Sequence, residues 1–129
     1  MKPPEYRNRT PKQLKEALEW GLEVLSLTNW TVDLYLENWR QNDDLVDLLV
    51  SAVAACCWDK CHLKADIGLN ILRAQQLNED PCFCMFHEIV HIGMTHETRF
   101  GSGTLEETAR EQFINCVAGA LYKLWQVET

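Results

Sequence analysis

No stretch of this chain comes near the roughly 18 to 20 consecutive apolar residues that a membrane-spanning helix needs. The opening MKPPEYRNRTP also lacks the apolar segment of a signal peptide. Together these absences predict a cytoplasmic protein with no membrane partner. Positive charge is scarce: 12 Lys and Arg stand against 19 Asp and Glu, a formal net charge of −7 with pI near 5.0. The cations are dispersed apart from Lys2, Arg7, Arg9 and Lys12, so no nucleic-acid partner is expected. Cys-x2-Cys spacing, internal repeats, low-complexity segments and a recognisable helix-turn-helix are all missing. The six cysteines, Cys56, Cys57, Cys61, Cys82, Cys84 and Cys116, are expected to stay reduced and to pack. A scaffold in which Cys57, Cys61, Cys82 and Cys84 hold an ion is the rival arrangement.

At 129 residues and 47% hydrophobic, the chain is the size of one domain spanning 1–129 with a real core. Residues 1–9 read as a flexible polar tail. Thr10-Pro11 with Gln13 has capping-box form and opens a helix through about Ser26, its apolar face set by Leu14, Ala17, Leu18, Gly21, Leu22 and Leu25. Trp30, Val32, Leu34 and Leu36 alternate with polar residues as in a half-buried strand. A short helix or loop is expected over 43–51, then strands near 52–58 and 61–69. Asp80-Pro81 restarts a helix to about Thr95. Thr104-x-x-Glu107 opens the last one, with Leu105, Ala109, Phe113, Val117, Ala120, Leu121 and Leu124 as its apolar series. The predicted fold is α+β: an N-terminal helix, a small mixed or antiparallel sheet of about three strands, and two C-terminal helices.

HEIVHIGMTH, residues 87–96, concentrates three of the four histidines. On a helix turning about 100° per residue, His87 and His91 project from one face a turn apart and can chelate one ion. Zinc suits such nitrogen donors, and a catalytic zinc keeps one position open for water. Glu88, beside the first histidine, is placed to take a proton from that water. His-Glu-x-x-His is thus a mechanism written at helical spacing.

This stretch resembles the zincin metallopeptidases, in which His87 and His91 match the zinc ligands and Glu88 the general base. Residues 105–124, LEETAREQFINCVAGALYKL, are similar to the downstream helix of gluzincins, the zincins with a glutamate as third ligand, including the minigluzincins and ImmA/IrrE-like peptidases. By that resemblance Glu107 is the first choice of third ligand, with Glu111 orienting a ligand histidine and Phe113 packing. Glu111 as ligand with Asn115 behind it is the second choice, its separation from His91 being closer to that in larger gluzincins. His96 is a third, on condition that the helix breaks near Gly93. Arg99, Tyr122 and His96 are available to stabilise a transition state. The resemblance implies one Zn2+ per chain and a polypeptide substrate, bound as an extended strand along a sheet edge between residues 52 and 69 and hydrolysed by metal-activated water. The alternative is a catalytically silent zincin-like protein that binds zinc as an interaction or regulatory module.

Overall fold

The computed structural model describes residues 3–94 and 103–128. His96 and Arg99 lie outside the described residues. Helix α1, Pro11–Val24, starts where the capping box places it: Thr10 Oγ1 accepts from the Gln13 amide, and the Gln13 side chain accepts from the Thr10 amide. Strand β1, Thr31–Tyr35, follows, then a 3₁₀ turn at Glu37–Gln41 and a one-turn helix α2, Val46–Leu49. Strands β2, Ala54–Asp59, and β3, Lys64–Leu69, start two to three residues later than expected. Helix α3, Ile71–Leu77, is an element the sequence reading lacked. Its cap is Asn70, whose side-chain oxygen accepts from the Arg73 amide while its NH2 donates to the Leu49 carbonyl. Helices α4, Pro81–Gly93, and α5, Leu105–Glu128, complete an α+β fold.

The sheet is mixed, in the order β1-β3-β2. β3 pairs parallel with β1 and antiparallel with β2, so among the described residues β2 is an edge strand with one side unpaired. Side-chain alternation along these strands feeds two cores. Ala65, Ile67 and Leu69 join the main core of α1, α4 and α5, against which Ala54, Cys56 and Trp58 also pack. Ala55 and Cys57 face the smaller core of Trp39, Leu45 and Leu49. Gly68 sits on that second face, where a Cβ would run into Leu49 and Leu45. Among the described residues no helix is long and apolar enough to cross a membrane.

Two expectations need correcting. The apolar series assigned to α5 mostly faces out: Leu105, Phe113 and Leu124 are exposed, while Ile114, Ala118, Leu121, Tyr122 and Trp125 go inward. The supposed packing residue Phe113 is 57% exposed. The inward stripe is hard to see because its first turns are polar, occupied by Glu107, Arg110, Glu111 and Asn115. The segment ahead of α1, expected as a flexible tail, is fastened to the body. Asp80 N donates to Pro4 O at 2.9 Å, Tyr6 N donates to Asn78 Oδ1 at 3.1 Å, and Arg9 Nη2 meets Asp80 Oδ2 at 2.7 Å.

Candidate metal centre

Helix α4 begins at Asp80, whose carboxylate accepts from the Cys82 amide, and Pro81 fills the first turn. Almost all of its surface is then consumed by packing: Phe83, Met85, Phe86, Ile89, Val90 and Ile92 are buried. The half-open strip left over is Cys84, His87, Glu88 and His91, at helical spacings of three and four. One turn of helix brings the imidazoles side by side, tilted 58° to each other with their Nε2 atoms 3.1 Å apart. His87, Glu88 and His91 place ligand atoms within 4.8 Å of one another, a group able to hold a metal ion. Among the described residues, the cysteines contribute to no such group.

Helix α5 supplies what α4 lacks. Glu111 Oε2 stands 3.2 Å from His87 Nε2, and Glu111 Oε1 stands 3.4 Å from His91 Nε2. Asn115, one turn on, lies 2.8 Å from His87 through its Oδ1 and the ring Nδ1. With Nδ1–H donating there, the Nε2 of a neutral His87 carries the lone pair and points at His91 and Glu111. Zinc bonds of 2.0–2.1 Å at tetrahedral angles put ligand atoms about 3.3 Å apart. The Nε2 atoms, 3.1 Å apart, lie near that edge length, and so does each ring's contact with its own oxygen of Glu111, at 3.2 Å for Oε2 and 3.4 Å for Oε1. The donor set therefore fits a tetrahedral dication.

Two carboxylates approach the imidazoles, and their surroundings differ. Both oxygens of Glu111 face the rings. Glu88 instead hydrogen-bonds the Cys56 thiol on β2, and its Oε2 is buried with no partner among the described residues. Burial, then the charge of Glu111, pushes the Glu88 carboxyl up to about 7, against the smaller opposing effect of Cys56. Burial, His87 and Arg110 push His91 down to about 4, with Glu107 opposing, so that ring is neutral and ligand-ready at neutral pH. Glu107 makes no ion pair with either ring; its backbone amide donates to Thr104 Oγ1 at 3.2 Å, as the helix cap requires.

The remaining candidates are distributed as follows. Tyr122 turns away from the imidazoles, its hydroxyl donating to Asp80 Oδ2 at 2.6 Å. His62 pairs with Asp59 in the β2–β3 turn, exposed and apart from the centre. Arg110, absent from the sequence reading, lines the cleft beside His91, Glu88 and Glu111. Its signal was its position between two acidic candidates on one helical face. The cleft has two hollows of about 320 and 360 Å³ that meet at Ala52, Ala54 and Glu88, under the free edge of β2. A larger hollow of about 820 Å³ lies elsewhere, between α1, the 3₁₀ turn and α3, and brings together no metal-ligating group.

No family model, curated protein or solved structure matches the chain.

Proposed function

We propose that this protein is a zinc-dependent peptidase of the gluzincin kind, with His87, His91 and Glu111 as the zinc ligands and Glu88 as the general base. The observation that carries this reading is the convergence of three side chains: His87 Nε2 and His91 Nε2 lie 3.1 Å apart, and the Glu111 carboxylate meets both, Oε2 at 3.2 Å from His87 and Oε1 at 3.4 Å from His91. Glu111 replaces Glu107 as the preferred third ligand because its carboxylate reaches both rings, whereas Glu107 forms no ion pair with either.

A bound zinc ion supplies Lewis acidity to the scissile carbonyl and lowers the pKa of the attacking water. Glu88, with an orphaned oxygen aimed away from its thiol partner, takes the water's proton and returns it to the departing amine. Asn115 fixes the tautomer and the angle of His87. The free edge of β2 offers unpaired backbone groups to an extended peptide directly above the cleft.

Metal analysis of purified variants tests the assignment. Wild type is expected to hold close to one zinc per chain, His87→Ala and Glu111→Ala little, and Glu107→Ala as much as wild type. Retention by Glu111→Ala together with loss by Glu107→Ala would reverse the choice of ligand. Glu88→Gln is expected to keep its zinc and lose peptide hydrolysis by about 100- to 10,000-fold. A wild-type protein that binds zinc yet behaves as Glu88→Gln does in every assay would instead be the silent, interaction-type relative.

A further inference from the structure

One charged group in the cleft is left without a role. Arg110 points inward from α5, between Glu107 and Glu111 on the same face. Among the described residues its Nε, shielded from solvent, has no hydrogen-bond partner and its guanidinium forms no ion pair. Glu111, its immediate neighbour, is turned to the imidazoles instead. Arg110 as a whole is half-buried, so the rest of its always-charged five-donor fork stays open to the cleft, while an Nε–H shielded from water without an acceptor is unfavourable in the free protein. Such an arrangement is characteristic of a site whose missing acceptor arrives with the ligand.

We propose that Arg110 is the specificity residue of this cleft, binding a carboxylate of the peptide and directing the enzyme to acidic substrates. This deepens the peptidase reading and rests on it. The planar fork of arginine matches a carboxylate through two parallel hydrogen bonds, and in an unmodified peptide the carboxylates are Asp and Glu side chains and the C-terminus. Trp58 and Leu48 supply apolar walls on the same side of the cleft. A strand added to the edge of β2 turns every second side chain toward α4 and α5, within the layer where Arg110 sits. The charge setting sharpens the choice. Glu88, Glu107 and Glu111 line the same hollow, and the whole chain carries −7, so an acidic peptide has no general attraction to this protein. Selection of one must come from a local cation, which also disfavours Lys and Arg at the same subsite.

The test uses full-length, zinc-loaded Glu88→Gln protein, which binds peptides without turning them over. Octapeptide mixtures carrying Glu or Gln at each position in turn, with free or amidated C-termini, are titrated by calorimetry. At one position Glu is expected to bind about tenfold more tightly than Gln. Adding Arg110→Gln should bring that ratio within about twofold while zinc stays near one per chain, and Arg110→Lys should restore part of it. If the tenfold gain follows the free C-terminus instead of a side chain, the carboxylate is the terminal one and Arg110 keeps its role. Equal binding of all four peptide types, no binding of any, or a ratio that survives Arg110→Gln overturns the proposal. A protein with intact Glu88 that cleaves none of these peptides would sink the peptidase reading alone, because the binding ratio is read independently of turnover.

Discussion

Glu88 occupies a position where a carboxylate is costly to ionise. One oxygen is satisfied by a thiol, a weak donor, and the other by nothing among the described residues. The carboxyl is raised from 4.5 to about 7, so between those values the folded protein holds a proton that the unfolded chain has already released. The stability this contributes is fully present below about 4.5 and is lost as the pH rises through 7. Glutamine cannot ionise and escapes the loss. In chelator, with the metal removed, Glu88→Gln is therefore expected to be more stable than wild type at pH 8 by roughly 2–3 kcal/mol. The two should be nearly equal at pH 4. Thermal or urea unfolding at the two pH values measures the difference, and parallel profiles would mean that Glu88 ionises as a solvated carboxylate does.

At the scale of elements, the centre is a contact between two helices, and the sequence made one of them far more legible than the other. The boundaries of α4 were readable because Asp80, Pro81 and the apolar residues that follow are local signals with local causes. The inward face of α5 was not. Its core-facing stripe begins with Glu107, Arg110, Glu111 and Asn115, and these polar residues disguised the register that Ile114, Ala118, Tyr122 and Trp125 continue. Polar side chains stand at the positions a periodicity count relies on. Helix α3 escaped for a different reason: seven residues hold too few turns for a pattern, and its start depends on Asn70 bonding back to Leu49. The same α4–α5 contact makes Asn115 a positioning residue. Asn115→Ala leaves all three proposed ligands in place, yet it should weaken zinc affinity by about 10- to 100-fold, because His87 loses the partner that fixes its ring. Competition against a calibrated zinc chelator reads this, and an unchanged affinity would show that α5 contributes Glu111 alone.

Across the whole molecule, the ends of the chain and the two helices of the metal centre are joined at one buried carboxylate. Asp80 is fully buried, caps α4, and receives Arg9 Nε at 3.3 Å, Arg9 Nη2 at 2.7 Å and the Tyr122 hydroxyl at 2.6 Å. The Arg9 guanidinium also lies over the Trp125 ring, 4.9 Å from its centroid. The N-terminal segment, α4 and α5 therefore meet at Asp80, and Pro3 reaches the hollow that His87 and Glu88 line. No local reading of residues 1–9 could find this, since Arg9 and Asp80 are 71 positions apart. Removing either partner strands the other in a low-dielectric interior, so Arg9→Met and Asp80→Asn should each cost on the order of 3 kcal/mol. Once one charge is gone, the second has little left to lose. The double variant is thus expected to be no more than about 1 kcal/mol worse than the poorer single one. Urea unfolding of the four proteins closes the cycle. Strictly additive losses would mean that Arg9 and Asp80 act separately, and that the N-terminal segment lies against the metal centre without supporting it.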